Sequence, residues 1–146
     1  MADIKRSGIS RKGTVSLQDL LNLAKSNPNL KKGGAIATFT GIVRGYTHEG
    51  KIVEKLEVEA CEEEASKALV EISEELRLSQ GVIDVLIHHL VGEFYVGEDL
   101  VYVVTIGKSR KDAFKALELA VEKYKKTAEI WKKEYLRDGT SYWVSG

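Results

Sequence analysis

Residues 82–106 read VIDVLIHHLVGEFYVGEDLVYVVTI, and this stretch decides the fold class. Valine, isoleucine and aromatic residues predominate in it, which predicts strands over residues 82–91 and 99–106. Gly92 and a Gly97-Glu98 turn join the two runs. Because so short a link cannot hold the crossover that parallel strands need, the two strands are predicted to pair antiparallel.

The segments on either side of this hairpin alternate between helical and strand patterns. Ser16 and Asp19 form a capping box at the start of a first helix. Ser109 and Asp112 form another, which begins the helix after the hairpin. The remaining predicted elements are strands over residues 35–43, 52–60 and 141–144 and a helix over residues 62–78. The order α-β-β-α-β-β-α-β favours an α+β fold with a largely antiparallel sheet.

Composition and charge restrict the class of protein. The 146 residues are 43% hydrophobic and 30% charged, which is typical of one globular domain over residues 1–146, with polar residues 1–13 predicted to be loosely held. The 22 basic and 22 acidic residues cancel, which disfavours a general nucleic-acid coat or a membrane-surface binder. A single cysteine excludes an internal disulfide. No apolar run approaches the ~18 residues of a membrane span, so a cytoplasmic protein is predicted.

The histidines, the cysteine and the serines form no recognisable metal site or catalytic triad. His88 and His89 are adjacent in a strand, so their side chains are predicted to point to opposite faces, as surface or core-edge residues. His48 has no ligand partner at a useful spacing. Cys61 lies between a strand and a helix and is predicted to be a small buried residue. The capping role of Ser109 accounts for that hydroxyl. No metal or cofactor is therefore predicted.

The third helix contains one lysine that breaks its polar pattern. At about 100° per residue, Lys125 projects within roughly 20° of Phe114, on the flank of the predicted apolar stripe. Lys132 returns to nearly the same direction if the helix continues. An amine at this margin either snorkels to solvent or is partly desolvated with a lowered pKa, and periodicity leaves both interpretations open. The stripe is predicted to comprise Phe114, Leu117, Val121 and Tyr124, with Lys123 and Lys126 on the solvated face.

Cations from distant segments predict a pocket for an anion. Arg44 lies at the entrance of a loop and Arg110 at the start of a helix, two positions where a phosphate can be held. Trp131 is followed by Lys132 and Lys133, which places an aromatic ring beside two cations. Each signal is weak alone, since Trp131 is also interpretable as a core residue with solvated neighbours. Together they indicate one anionic ligand.

Five stretches of the chain resemble the large, catalytic subunit of molybdopterin synthase. They are GAIATFTGIVR (34–44), LEVEA (56–60), HLVGE (89–93), SRKDAF (109–114) and IWKKE (130–134). They occur in the family's order and extend the resemblance over about residues 15–144. Its most specific feature is the spacing from Lys125 to IWKKE, combined with the Gly-x-Val-Arg motif that ends at Arg44.

The resemblance implies an α+β fold of the α/β-hammerhead type and a cytoplasmic heterotetramer. Two large subunits form a homodimer, and each binds a small ubiquitin-like sulfur carrier with a C-terminal Gly-Gly thiocarboxylate. The carrier donates sulfur to cyclic pyranopterin monophosphate in two rounds, which gives the dithiolene of molybdopterin. The resemblance further implies that Lys125 and Lys132 are catalytic and that Arg44, Arg110 and Lys133 bind the substrate. It implies no cofactor, nucleic acid or membrane.

Three residues depart from the family's pattern. Ser109 and Leu90 stand where the family commonly has a histidine and an arginine, and Glu129 replaces a proline, which predicts that the third helix runs further. Because both lysines and Arg44 are present, an active sulfurtransferase is the favoured function. The alternative is a non-catalytic module that holds the carrier or a phosphorylated pterin. An RNA-binding domain is least favoured, because the net charge is zero and no strand interleaves exposed aromatics.

Overall fold

The computed structural model describes residues 4–127 and 129–144. Within them the chain forms three α-helices, a short 3-10 helix at Leu30–Lys32 and seven strands. The α-helices are α1 (Leu17–Lys25), α2 (Glu62–Arg77) and α3 (Arg110–Thr127). The strands are β1 (Gly8–Arg11), β2 (Ala35–Ile42), β3 (Val53–Ala60), β4 (Val82–Tyr95), β5 (Asp99–Gly107), β6 (Ile130–Leu136) and β7 (Ser141–Val144).

The strands form one sheet in the order β2-β5-β4-β3-β6-β7, with antiparallel neighbours throughout, and β1 pairs parallel with β4. The predicted β4–β5 hairpin is confirmed, with His89 opposite Val101. β4 continues beyond residue 91 because its second half pairs with β3 instead of β5. Gly92 lies where β4 changes partner and has a φ of 132°, which other residues rarely adopt. The predicted α+β class with a largely antiparallel sheet is confirmed.

Helix α3 packs against β5 and β2 through a side that coincides only in part with the predicted stripe. Phe114 is 61% exposed, whereas the buried side consists of Ala113, Ala116, Ala120 and Tyr124. The alanines allow the helix backbone to approach the sheet, where the hydroxyl of Thr105 donates to the carbonyl oxygen of Ala113 at 2.8 Å. Larger side chains on this side would hold the helix away from β5. The predicted stripe is therefore wrong at Phe114 and right at Tyr124, while Leu117 and Val121 are partly buried against the core.

The N-terminal segment is bound to the core, contrary to the prediction that residues 1–13 are loosely held. Gly8–Arg11 pairs with β4, and the hydroxyls of Ser7 and Ser73 lie 2.7 Å apart in a buried hydrogen bond. Arg6 forms an ion pair with Asp84, a fully buried carboxylate. These polar contacts explain why the segment is ordered, because the composition of the segment does not reveal its buried partners elsewhere in the chain. Residues 1–3 lie outside the described residues.

Helix α3 ends at Thr127, so the prediction that Glu129 extends it is wrong. The chain enters β6 at Ile130, and Lys132 lies opposite Val58 of β3. Hydrogen bonding to β3 and β7 on both sides overrides the helical preference of the local lysines and glutamate. Trp131 is 47% exposed on this strand and is not a core residue.

The remaining local predictions have mixed outcomes. Both hydrogen bonds of the Ser16–Asp19 capping box are present, and the amide of Asp112 donates to the hydroxyl of Ser109. His88 and His89 are each 1% exposed and thus lie deeper than predicted. Cys61 is exposed instead of buried, since the corner between β3 and α2 lies at the surface. Among the described residues, no helix is long and apolar enough to span a membrane, and no cluster of His, Cys, Asp and Glu could hold a metal ion.

Candidate active site

One cavity of about 440 Å³ brings together Arg44, Lys125 and Lys132. These residues come from the end of β2, the last turn of α3 and the middle of β6. The wall around them is mainly apolar and includes Val43, Leu56, Leu100, Val101 and Tyr124. Three cations from distant segments therefore meet beside apolar side chains, and two of them, Arg44 and Lys132, belong to the predicted anion pocket.

Lys132 is the most buried cation of the cavity. Strand alternation directs Lys132 and Glu134 to the cavity side of β6, while Lys133 has the opposite direction. Burial lowers the pKa of the Lys132 amine, and the positive charges of Lys125 and Arg44 lower it further. A larger fraction of this amine is consequently neutral near pH 7 than for a lysine in water.

Lys125 is an exposed residue of the last turn of α3, next to the buried ring of Tyr124. The negative end of the helix dipole favours a cation there. Sequence periodicity left open whether the Lys125 amine is partly desolvated or snorkels to solvent. The structure instead assigns the desolvated environment to Lys132, because the sheet packs around β6 and leaves the end of α3 at the surface.

Arg44 is held by two neighbours within the site. Its Nη1 donates to Nε2 of His48 at 3.2 Å, and its Nε lies 3.7 Å from Oε2 of Glu134. Glu134 is only 4% exposed, and its other oxygen accepts a hydrogen bond from the hydroxyl of Tyr142. That hydrogen bond raises the pKa of Tyr142. The carboxylate thus fixes the arginine at the mouth of the cavity.

Glu134 was not predicted to be a site residue, although the sequence spacing that identifies it was present. Lys132 and Glu134 are two residues apart, so they share a face if the segment is a strand. The third helix was instead predicted to run further at Glu129, and residues two apart do not face each other on a helix. Glu134 is identified as a site residue once β6 is assigned as a strand.

A second cavity of about 530 Å³ adjoins the first and shares Arg44, His48 and Val144 with it. Its polar lining includes Thr47, Lys51 and Thr140. Arg44 and His48 therefore stand at the junction of the two cavities. From the sequence, His48 was predicted to have no ligand partner at a useful spacing.

Two of the predicted substrate-binding residues lie outside the cavity of their own chain. Arg110 begins α3, and Lys125 follows 15 residues later, which corresponds to roughly 22 Å along a helix. The Nζ of Lys133 lies 5.3 Å from the ring centroid of Tyr135 and 5.6 Å from that of Trp143, on the opposite face of β6. Of the five predicted site residues, the structure therefore brings together three within one chain: Arg44, Lys125 and Lys132.

The arrangement can bind an anion and transfer protons. Three cations and one buried carboxylate leave a net positive charge beside an apolar wall. The described residues that line the cavity include neither cysteine nor serine. A thiol or hydroxyl nucleophile of the serine or cysteine type is thus not supplied by these residues, while an amine with a lowered pKa is suited to acid–base or covalent chemistry.

Comparison with known proteins identifies the family. The family model described as MoaE protein matches residues 11–127. A probable molybdopterin synthase from Haloferax volcanii is 39% identical over 131 residues, covering 89% of this chain but only 50% of that protein. The molybdopterin synthase catalytic subunit of Pyrococcus abyssi is 33% identical over 146 residues, covering 100% of this chain and 95% of that protein.

Solved structures agree with this assignment. The crystal structure of molybdopterin synthase from Staphylococcus aureus matches with a TM-score of 0.86 and 30% identity, covering 99% of this chain and 100% of that one. A chain in the complex of subunits 1 and 2 of the molybdopterin-converting factor from Helicobacter pylori has the same fold, with a TM-score of 0.74 and 23% identity over 96% of this chain and 90% of that one. The chain therefore belongs to the MoaE protein family, that of the molybdopterin synthase catalytic subunits, which are sulfur-transferring enzymes of molybdenum cofactor biosynthesis.

Proposed function

We propose that the cavity transfers sulfur from the C-terminal thiocarboxylate of a small ubiquitin-like carrier to cyclic pyranopterin monophosphate, forming the molybdopterin dithiolene in two rounds. One observation carries this proposal. Lys125, Lys132 and Arg44 converge in a cavity whose described lining has neither a cysteine nor a serine to act as sulfur or hydroxyl nucleophile. A thiocarboxylate delivered by a partner protein supplies the missing nucleophile, and the reaction takes place in the cytoplasm.

Substrate binding rests on charge complementarity. The precursor carries a phosphate, and Arg44 offers a planar guanidinium that Glu134 keeps oriented at the cavity mouth. The apolar wall formed by residues such as Leu56 and Val101 suits the ring system of a pterin. The adjoining cavity adds one cation, Lys51, and one carboxylate, Glu49, whose charges offset each other.

Proton transfer is the role we assign to the lysines. In each round the thiocarboxylate sulfur bonds to a substrate carbon, and the oxygen that it displaces needs a proton to leave. Water then cleaves the resulting thioester, which leaves the sulfur on the substrate and releases the carrier with an ordinary C-terminal carboxylate. Lys132 has the lowered pKa that such an exchange requires near pH 7. Lys125, as an exposed cation beside it, stabilises the negative charge that develops during attack.

Arg110 and Lys133 can contact this substrate only from a second chain. Arg110 lies roughly 22 Å along α3 from Lys125, too far for its own side chain to bridge. The proposed homodimer supplies a second copy whose Arg110 or Lys133 approaches the cavity mouth. The proposed complex with two carriers then contains two composite sites.

Reconstitution tests the function directly. The purified chain is mixed with thiocarboxylated carrier and cyclic pyranopterin monophosphate, and molybdopterin is measured after its conversion to a fluorescent derivative. Carrier that ends in an ordinary carboxylate is the matched control. Product with the thiocarboxylate alone supports the proposal. A stable complex without product would assign this chain to the alternative, a non-catalytic binding module.

A further inference from the structure

His89 lies directly beneath the active-site cavity. It is paired with Val101 of β5, which is itself paired with Gly41 of β2. Directly opposed residues of antiparallel strands share a face of the sheet, and both Val101 and Gly41 line the cavity. The imidazole is 1% exposed, and its ring meets the ring of Tyr124 edge-on with centroids 5.9 Å apart.

The surroundings of His89 determine which nitrogen carries hydrogen. Nδ1 lies 3.0 Å from the carbonyl oxygen of Leu90, which can only accept, so Nδ1 is the donor. Burial, assisted by the positive charge of Lys132, lowers the pKa of His89 to about 4. The ring is therefore neutral near pH 7, and Nε2 is a bare acceptor.

Nε2 of His89 has no hydrogen-bond partner among the described residues, although it is completely buried. Buried polar atoms in folded proteins are nearly always paired, so an orphaned acceptor beside an active site requires an explanation. The ring faces Tyr124 from α3, Val101 from β5 and Ile9 from β1, two of which are apolar. Lys132 is the cation whose charge acts on it.

We propose that His89 is a positioning residue, whose Nε2 accepts a hydrogen bond from the Nζ of Lys132 when substrate occupies the cavity. The lysine has a flexible stem and three rotatable donors, which suits its amine to form such a hydrogen bond. The imidazole is too weak a base to take the proton, and the hydrogen bond orients the amine without consuming it. This inference rests on the proposed function, in which Lys132 is the active amine.

Two matched substitutions separate this role from simple packing. His89→Gln keeps an acceptor near the position of Nε2, whereas His89→Asn keeps a donor near Nδ1 but places no acceptor at Nε2. We expect His89→Asn to reduce single-turnover sulfur transfer about tenfold with carrier affinity unchanged, and His89→Gln to restore most of that rate. The limb of the pH–rate profile that belongs to Lys132 should move to lower pH in His89→Asn, because the lost acceptor had favoured the ammonium. An unchanged rate and profile in His89→Asn would overturn the proposal.

Nitrogen NMR of histidine-labelled protein provides a readout that needs no turnover. We expect the Nε2 resonance of His89 to be that of an unprotonated nitrogen, to shift on addition of cyclic pyranopterin monophosphate, and to lose that shift in Lys132→Met. A protonated Nε2, or the same response in both proteins, would refute the hydrogen bond even if His89→Asn cannot be folded. Absence of product from the unmodified chain would instead refute the proposed function, and the resonance comparison would still decide the role of His89.

Discussion

Lys125 and Lys132 belong to different secondary structures, yet the charge of Lys125 lowers the pKa of the Lys132 amine inside one cavity. Burial is the larger cause of that lowering, and Arg44 adds to it. Lys125 remains exposed at the end of α3, while Lys132 is partly covered on β6. The two amines therefore differ in exposure, and their proposed roles follow from it: the partly buried Lys132 transfers protons, and the exposed Lys125 stabilises negative charge.

Replacement of either lysine by methionine is expected to abolish most of the sulfur transfer. Methionine keeps an unbranched apolar stem but removes the proton donor and the charge. Lys125→Met and Lys132→Met should retain the fold and carrier binding and lose at least about a hundredfold in molybdopterin formation. Product formation in the reconstituted reaction, with circular dichroism for the fold, measures both expectations.

Lys126→Met is the matched control for this pair. Lys126 is exposed on α3 and does not line the cavity. Lys123 is a poorer control, because its amine lies 3.1 Å from a carboxylate oxygen of Glu75. Equal rates in Lys125→Met, Lys132→Met and Lys126→Met would show that the catalytic site has been placed wrongly.

The pKa of Lys132 should respond to its charged neighbour. Lys125→Met removes one of the two positive charges that disfavour the Lys132 ammonium, so the pKa of Lys132 is expected to rise toward the ordinary lysine value. It should not reach that value, because burial is unchanged. An NMR titration of the lysine side chains measures the shift, and a fall in the pKa of Lys132 would contradict the proposed arrangement.

How much the sequence predicted depends on the range of the interaction. Ser16 and the β4–β5 hairpin were predicted correctly because capping and tight turns are set by residues close in sequence. The strand that contains Lys132 was not predicted, because it depends on pairing with β3, more than 70 residues earlier in the chain, and with β7. Without that strand, Glu134 could not be predicted to share a face with Lys132. The sequence predicted that cations from distant segments bind one anion. The positions of Arg44 and the lysines relative to one another, however, depend on strand pairing across the whole sheet.

Arg44 and Arg110 are both expected to bind the substrate phosphate, although one chain cannot bring them together. Arg44→Ala and Arg110→Ala should each weaken precursor binding about tenfold or more, the loss of one charge-assisted contact, with less effect on carrier binding. Calorimetric titration of each variant with the precursor and with the carrier makes the comparison. Unchanged precursor affinity in both variants would remove these residues from the site.

Mixed dimers test whether Arg110 acts from the second chain. A dimer of one Arg44→Ala chain and one Arg110→Ala chain has one site with both arginines intact if Arg110 acts in trans. Such a dimer should recover about half of the activity per dimer that the unmodified protein has, whereas each variant alone stays impaired. If Arg110 acts within its own chain, mixing restores nothing.

The assembly itself is expected to be a homodimer that binds two carriers. A catalytic subunit that receives another protein's tail needs a groove for that tail, and a dimer needs a self-complementary patch. Light scattering should give twice the 16.2 kDa mass of the chain, and a further increase by two carrier masses on titration. A persistent monomer that gains no mass with carrier would contradict this assembly.

His89 is expected to make the free energy of unfolding depend on pH in mildly acidic solution. Its pKa falls from 6.5 in an unfolded chain to about 4 in the folded protein. Above pH 6.5 the ring is neutral in both states and the stabilisation is complete. Between pH 6.5 and about 4 the unfolded chain binds a proton that the folded protein does not, so stability decreases as the pH falls.

The full loss at His89 amounts to about 3 kcal/mol, given the ~1.4 kcal/mol that each pH unit of pKa difference represents. The pKa of His88 is also lowered by burial, which adds to the slope in the same direction. Urea unfolding at intervals from pH 7 to pH 4 measures the dependence, and His89→Gln should reduce its slope because glutamine does not titrate. Equal slopes in the two proteins would mean that the pKa of His89 is the same in the folded and unfolded states, which would contradict the lowered pKa assigned to this buried ring.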